Sequence, residues 1–179
     1  MIANIEQVGE LGGLVVYRGI SEPQIGQLVV YSGSDPEVVR FTSDSERFQD
    51  RDAYERWLKK GRTVYTLSNG EGNLLGLIWY GAEPIPQREF IVSLNPDLYG
   101  FTSARRTYAE ARGKGLAAPF SQICQVDFTS LSAYLQRPSP HFWVENSADN
   151  IPAMKLADVL GYRVVTKPDQ NNKVLLVTG

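Results

Sequence analysis

A glycine-rich turn between a strand and a helix restricts the possible folds more than any other segment. The sequence reads AEARGKGLA from Ala109 to Ala117, after a half-polar strand candidate at Tyr99 to Tyr108 and before a mainly helical apolar pattern at Leu116 to Leu135. Glycine permits positive φ and close backbone approach, and the first N–H groups of a helix are unpaired at the positive end of its dipole. Such a turn suits a phosphate or pyrophosphate.

The charges around the turn favour an anion site. Arg105, Arg106, Arg112 and Lys114 cluster there and only Glu110 opposes them, whereas the whole chain has 18 Lys and Arg, 20 Asp and Glu and a net charge of −2. That mildly acidic balance argues against a partner that is nucleic acid or an anionic membrane. Glycines also cap helices, and basic runs are often solvated surface, so the turn by itself leaves a purely structural alternative open.

The familiar phosphate motifs do not fit this turn. A P-loop requires Lys followed by Ser or Thr after the second glycine, and a dinucleotide fold requires a third glycine. Neither is present, and the flanking strands look antiparallel rather than repetitively βαβ.

Length and composition predict a single cytoplasmic domain without metal. The chain has 179 residues, 42 % of them hydrophobic, with one cysteine, Cys124, and one histidine, His141. These exclude an intramolecular disulfide and leave too few soft ligands for structural zinc. We find no signal peptide and no apolar run near the roughly 20 residues of a membrane helix.

The first third predicts short strands and one helix. Runs rich in Val and Tyr predict strands at Gly13 to Tyr17, Gln27 to Tyr31 and Glu37 to Phe41, arranged as a hairpin or meander. Helical periodicity begins near Arg47 and Gly61 ends it.

The remainder alternates strands and helices around a long loop. Gly81 to Asp97 contains three prolines and predicts that loop, with a short strand at Phe90 to Ser93. The other predicted elements are strands at Thr63 to Ser68, Leu74 to Tyr80, Phe142 to Glu145, Tyr162 to Thr166 and Val174 to Thr178, and a helix at Ala148 to Leu160.

Two motifs resemble the GNAT superfamily of acetyl-CoA-dependent N-acetyltransferases. Arg112, Gly115 and Ala117 fit its Arg/Gln-x-x-Gly-x-Gly/Ala signature at a strand-to-helix junction. The segment FWVENSADNIPAMKLADVLGYRVV resembles that family's fifth strand, fourth helix and sixth strand, with matches at Asn150, Ala153, Leu156, Gly161 and Tyr162. The resemblance extends from about Thr63 to the C-terminus.

This resemblance implies an α+β fold with a central mixed, mostly antiparallel twisted sheet flanked by helices and a splay between its strands four and five. Residues 1–179 would form one domain, with 1–60 divergent and 63–179 as the cofactor-binding core. The implied activity moves an acetyl group from acetyl-CoA to a primary amine of a small molecule or peptide by direct attack in a ternary complex, and a homodimer is possible.

The resemblance also implies a set of cofactor-binding residues. The pyrophosphate would lie on the backbone amides of Arg112, Gly113, Lys114, Gly115, Leu116 and Ala117. The main chain of Arg105, Arg106 and Thr107 would pair with the pantetheine arm, and an N–H near Thr107 would polarise the thioester carbonyl. Asn150 would contact the cofactor from the opposite side, or would simply cap its helix.

The catalytic groups are less clearly marked. Many family members carry a tyrosine where this chain has Ala157, so the usual acid is absent from its usual place. Tyr108 and Tyr162 are the substitutes to consider, each of which also fits a core or rim aromatic, and Tyr108 is the candidate acid. Glu145, Asp97 and Glu83 are candidate bases for the incoming amine, and each also fits a surface carboxylate. Loss of the tyrosine supports an alternative function, a catalytically weak CoA-binding regulatory or interaction module.

Two further groups are interpreted from the residues around them. Cys124 is expected to be a buried small hydrophobe rather than a nucleophile. Trp79 and Tyr80 are expected in the core, with a possible second role, alongside the proline-rich loop, in walling an acceptor pocket.

Overall fold

The computed structural model describes residues 5–131 and 141–179, which contain eight strands and six helices. The strands are β1 (Glu6–Leu11), β2 (Leu14–Arg18), β3 (Arg62–Ser68), β4 (Leu74–Ala82), β5 (Phe101–Thr107), β6 (Phe142–Ser147), β7 (Tyr162–Val164) and β8 (Lys173–Thr178). The helices are α1 (Glu22–Ser34), α2 (Pro36–Phe41), α3 (Asp44–Arg47), α4 (Arg51–Leu58), α5 (Ala117–Ser130) and α6 (Ile151–Val159). Short 3-10 helices occur at Pro96–Leu98 and Ala109–Ala111.

The strands form one mixed sheet in the order β1-β2-β3-β4-β5-β6-β8-β7. β5 pairs with β6 in parallel, with Phe101 opposite Phe142 and Thr102 opposite Trp143. The pairs β1–β2, β2–β3, β6–β8 and β7–β8 are antiparallel. The predicted α+β class with a mixed, mostly antiparallel sheet is therefore confirmed. β5 and β6 are the strands that the family resemblance numbers four and five, and their parallel pairing over two positions agrees with the expected splay.

Residue contacts divide the chain into two compact units. The first comprises Met1–Trp79 and Arg105–Asp127, and the second comprises Tyr80–Ala104 and Phe128–Gly179. The prediction of a single domain over residues 1–179 stays a prediction.

The predicted strand at Gln27 to Tyr31 is wrong, because this segment lies inside α1. The N–H of Ser21 donates to Gln24 Oε1 at 3.1 Å, and proline occupies the first helical turn, so the start of the segment is set up as a helix. Ile25 and Leu28 are buried at helical spacing. The amphipathic face and the N-terminal signals override the β preference of the Val-rich run.

The predicted strand at Glu37 to Phe41 is also wrong, because Asp35 starts a helix there. Its Oδ1 accepts from the N–H groups of Glu37 at 3.1 Å and Val38 at 3.4 Å. The predicted hairpin or meander of three strands is therefore absent from this segment. Instead β2 pairs with β1, a strand that the sequence does not predict, across the Gly12-Gly13 turn, where both residues have positive φ.

The later elements follow the predictions more closely. The predicted helix near Arg47 to Gly61 forms as α4, which begins later, at Arg51, with Asp50 as its cap; a separate short helix, α3, ends at Arg47. The Phe90 to Ser93 strand is reduced to one bridge, between Phe90 and Thr166. The predicted helix at Leu116 to Leu135 forms as α5, and its last residues, from 132, lie outside the described residues.

In the first unit, a glycine lets α5 lie close to the sheet. A Cβ added at Gly76 of β4 would lie 3.1 Å from Arg106 O and 3.1 Å from Phe120 Cε1. Because Phe120 is on the first turn of α5, this contact helps to fix the end of the helix that the glycine turn enters.

In the second unit, the proline-rich loop packs on its own core. Ile85 joins a buried cluster with Tyr99, Trp143 and Val165, and Phe90 packs against that cluster. None of the helices in the described ranges is both long and apolar enough to cross a membrane.

Candidate functional site

The glycine turn has the backbone conformation that its sequence predicts. Gly113 and Gly115 have φ of 73° and 71°, and a Cβ added at either would meet nothing within 4 Å. Of the amides predicted to hold the pyrophosphate, that of Arg112 already donates to the Tyr108 carbonyl at 3.1 Å, so it is not available to a ligand. The N–H groups of residues 113 to 116 make no hydrogen bond to other groups of the described chain. The turn therefore presents open space and free main-chain donors at the N-terminus of a helix of 14 residues.

The basic side chains around the turn differ sharply in what they contact. Arg112 Nη2 donates to Asp35 Oδ1 and Oδ2, both at 2.6 Å. Arg106 donates from Nε to Asp44 Oδ2 at 2.7 Å and from Nη2 to Asp44 Oδ1 at 3.0 Å. Lys114 is exposed and has no ion-pair partner among the described residues, so its charge is available to a ligand.

Arg105 and Thr107 lie on β5, both half-buried. The main-chain pairing with a pantetheine arm expected of Arg105, Arg106 and Thr107 stays a prediction. The sequence does not predict the contacts of Asp35 and Asp44 with these arginines, because the two carboxylates lie 77 and 62 positions from their partners. The only local signal, Asp followed by Pro, reads as the start of a helix.

A cavity of about 280 Å³ lies beside the start of the turn, within the first unit. Its lining includes Tyr31, Asp35, Leu74, Tyr108, Glu110 and Arg112. The Tyr108 ring lies 4.6 Å from the Tyr31 ring, centroid to centroid.

Tyr108, the candidate acid, is only 3 % exposed, and its hydroxyl has no hydrogen-bond partner in the described chain. Burial raises the pKa of this hydroxyl well above its usual value. The side chain therefore holds its proton at neutral pH and has an unmet hydrogen-bonding capacity.

Of the candidate bases, Glu145 is already engaged by a cation of its own unit. Arg88, from the proline-rich loop, donates from Nη2 to Glu145 Oε2 at 2.5 Å and lies 3.0 Å from Asp169 Oδ2. The same guanidinium donates to the carbonyl of Lys173 at 3.2 Å. Arg88 thus ties the loop to β6 and to the β7–β8 turn.

Glu83 and Asp97 are exposed at the two ends of the proline-rich loop. The Glu83 carbonyl accepts from Trp143 Nε1 at 2.8 Å, which fixes the main chain at that point and leaves the carboxylate outside the core. Asp97 lies on the 3-10 helix at Pro96–Leu98.

Asn150 caps α6, because its Oδ1 accepts from the Ala153 N–H at 3.2 Å. The capping interpretation is confirmed, and the cofactor contact stays a prediction. Ala157, where many GNAT enzymes carry tyrosine, is 4 % exposed on α6.

The remaining predicted groups are buried. Cys124 is fully buried, as expected, and burial raises the pKa of its thiol. Trp79 packs edge-on against Trp57 with ring centroids 5.4 Å apart. Tyr80 stacks on Phe128 at 4.5 Å. Their core role is confirmed, and a role in an acceptor pocket stays a prediction.

Solved acetyltransferase structures share this fold over nearly the full chain. A protein of Bordetella pertussis assigned to the GNAT acetyltransferase family superposes with a TM-score of 0.65 at 18 % identity, covering 97 % of this chain and 100 % of its own. The ribosomal-protein-S5-alanine acetyltransferase of Vibrio fischeri gives 0.66 at 14 %, covering 95 % and 94 %. A chimera of the Vibrio cholerae spermidine N-acetyltransferase with hSSAT gives 0.59 at 13 %, covering 93 % and 95 %.

At the level of sequence, no protein-family model matches the chain and no curated protein matches it. The similarity at these low identities is one of fold.

Proposed function

Because the chain has the fold of the GNAT acetyltransferases, we propose that it is an N-acetyltransferase that moves the acetyl group of acetyl-CoA to a primary amine. The observation that carries the proposal is the glycine turn, with two positive-φ glycines, open space and free N–H groups at the start of α5. These features fit a pyrophosphate, whose charge the helix N-terminus and Lys114 would offset.

The donor supplies an activated thioester, and the chain supplies position and proton handling. The neutral amine nitrogen attacks the thioester carbonyl carbon, a C–N bond forms, and the C–S bond breaks with its electron pair leaving on sulfur. The proton that the acylated nitrogen then loses ends on that sulfur, so CoA leaves as its thiol. A backbone N–H near Thr107 would stabilise the developing oxyanion. The amine proton passes to a base, because an ammonium of lysine type has a pKa of about 10.4 and must be deprotonated before attack.

Glu83, Asp97 and Glu145 are the proposed bases, and kinetics distinguish them. Replacing the true base by its amide lowers kcat/KM at neutral pH by about 10²–10⁴ without weakening acetyl-CoA binding. Glu145 is the less favoured base of the three, because one of its oxygens already accepts a hydrogen bond from Arg88.

The acceptor is proposed to be a small-molecule or peptide amine. The fold neighbours include an enzyme described as acting on the alanine of ribosomal protein S5 and one described as acting on spermidine. A test panel should therefore contain polyamines and peptides with an N-terminal alanine.

The first test is calorimetric titration of the protein with acetyl-CoA, followed by release of CoA thiol against the amine panel. We expect saturable binding and release of thiol that depends on an amine. Absence of binding would refute the proposal.

Substitution of Gly115 tests the site itself. Gly115→Glu places a carboxylate where the pyrophosphate would lie, so we expect acetyl-CoA affinity to fall by at least about 100-fold. Gly61→Glu is the matched control, because Gly61 also has positive φ, at 77°, and open space around its Cβ. An equal loss of affinity in the two variants would show that backbone strain, and not the site, is responsible, and a wild-type affinity in Gly115→Glu would refute the site.

A CoA-binding regulatory or interaction module is the second candidate function. Ala157 favours it, since the α6 position that many GNAT enzymes use for an acid has no proton to give. This function predicts acetyl-CoA binding without thiol release for any amine, and robust turnover would exclude it.

A further inference from the structure

The arginine at the start of the glycine turn is bound to a carboxylate of the α1–α2 junction. Asp35 accepts from Arg112 with both oxygens and its side chain is only 6 % exposed, whereas that of Arg112 is 31 % exposed. The same carboxylate caps α2 through the N–H groups of Glu37 and Val38. Asp35 is therefore anchored on one side and holds the turn on the other.

Withdrawal of Arg112 from this pair would be unfavourable. Asp35 would remain buried with its charge facing only two backbone donors, and a buried charge that loses its partner is strongly destabilising. The electrostatic attraction of the guanidinium to a phosphate at the solvent-exposed turn is weaker than its attraction to this fixed carboxylate, because solvent and salt screen exposed charges. Arg112 thus stays with Asp35 when a phosphate arrives.

The same reasoning removes Arg106 from the phosphate site. Asp44, with a side chain 1 % exposed, binds Arg106, whose own side chain is 13 % exposed. Lys114, between the two glycines of the turn, has no ion-pair partner among the described residues, so its charge remains available to a phosphate.

We propose that Asp35 is a positioning residue for the nucleotide site: through Arg112 it fixes the start of the turn so that the N–H groups of residues 113 to 116 converge on a pyrophosphate. Lys114 supplies the side-chain charge to that group. This inference rests on the proposed function.

Asp35→Asn tests the positioning role with little disturbance of the helix. Asparagine caps helices as well as aspartate does, so α2 keeps its cap while Arg112 loses its anionic partner. We expect the Kd and KM for acetyl-CoA to rise about tenfold and kcat at saturation to stay unchanged, because the chemistry does not involve this pair. Asp50→Asn is the control, because Asp50 also caps a helix of the first unit, accepting from Ala53 N–H, but is exposed and pairs with no arginine among the described residues.

Hydrogen exchange of the unliganded protein gives a readout independent of acetyl-CoA. In Asp35→Asn the amides of residues 112 to 116 should exchange faster relative to wild type, while those of α4 do not change. Arg112→Gln should reproduce both effects, and the double variant should be no worse than either single variant, because the two residues act as one pair.

Lys114→Ala tests the second half of the inference. Its affinity should fall for acetyl-CoA and remain unchanged for acetyl-pantetheine, which lacks the pyrophosphate. An equal fall for both donors would overturn the assignment of Lys114 to the phosphates.

Different outcomes test the positioning role of Asp35 and the proposed function on which it rests. If wild-type protein binds no acetyl-CoA, the proposed function fails and the positioning role fails with it. If wild type binds and Asp35→Asn binds equally well, the function stands and the positioning role is overturned, whatever the exchange rates show.

Discussion

Arg106 and Asp44 form a two-point ion pair inside the first unit, with Nε and Nη2 of the arginine on the two oxygens of a carboxylate that is 1 % exposed. The pair joins α3 to β5, two elements that are far apart in sequence. Arg47 Nη1 adds a third donor to Asp44 at 3.1 Å.

Asp44→Ala should therefore be severely destabilising. Removing one partner of a buried pair leaves the other charge uncompensated, so we expect the free energy of unfolding to fall by about 3–5 kcal/mol in urea titrations. Glu46→Ala, at an exposed position of the same helix, is the control and should change stability by less than about 0.5 kcal/mol. A loss below about 1 kcal/mol for Asp44→Ala would mean that the pair behaves like a surface pair.

Tyr108→Phe should not lower stability, because the hydroxyl it removes has no partner. Tyr65→Phe provides the contrast: its hydroxyl donates to Asp127 Oδ2 at 2.7 Å, and its loss should cost about 1–3 kcal/mol. Urea unfolding of both variants checks the difference. A fall in stability for Tyr108→Phe would reveal a partner for its hydroxyl, and a fall in its kcat alone would support the predicted acid role.

Cys124 should make stability sensitive to alkaline pH. Burial raises the pKa of its thiol in the folded state, so its stabilising contribution is complete below the unfolded pKa of about 8.5 and is lost as pH rises above it. Between pH 7.5 and 9.5 this costs about 1.4 kcal/mol. Cys124→Ala should be less stable at both pH values and should lose less between them; an equal loss in both proteins would contradict the assignment.

Asp169 should contribute the opposite dependence at acid pH. Hydrogen bonds from the N–H groups of Lys173 and Asn171, with the charge of Arg88, lower the pKa of this carboxyl. A depressed folded pKa gives stability that is present above the unfolded value of about 3.9 and lost as pH falls through the folded pKa. The stability advantage of wild type over Asp169→Asn should therefore be larger at pH 6 than at pH 3 in urea titrations, and an equal advantage at the two pH values would contradict this dependence.

The sequence predicts the C-terminal two thirds of the fold well, and the reason is local. Strand runs such as Leu74 to Tyr80 are apolar and bounded by turn residues, so β4 begins at the predicted residue and extends two residues further, to Ala82. The glycine turn is equally local, because positive φ at Gly113 and Gly115 follows from the residue type.

The prediction fails in the N-terminal third because two local signals compete there. The Val-rich run at Gln27 to Tyr31 favours a strand, but Ser21 with Gln24 before it starts a helix, and the apolar spacing of Ile25 and Leu28 is helical. The side-chain partners of the turn could not be predicted from the sequence for another reason. Nothing near Arg112 indicates that Asp35, on a different helix, will neutralise it, since such pairs depend on tertiary packing.

The glycine of β4 has a consequence for experiments that score every substitution at every position. Gly76 has no side chain to offer a ligand, yet any Cβ there presses on the Arg106 carbonyl and on Phe120. Bulk at this position would lift α5 and with it the N-terminus that the turn enters. A saturation screen read out by function would therefore score Gly76 as intolerant alongside Gly113 and Gly115. A stability readout run in parallel would distinguish them, because Gly76 sets the distance between α5 and the sheet, whereas the two turn glycines leave room for a ligand.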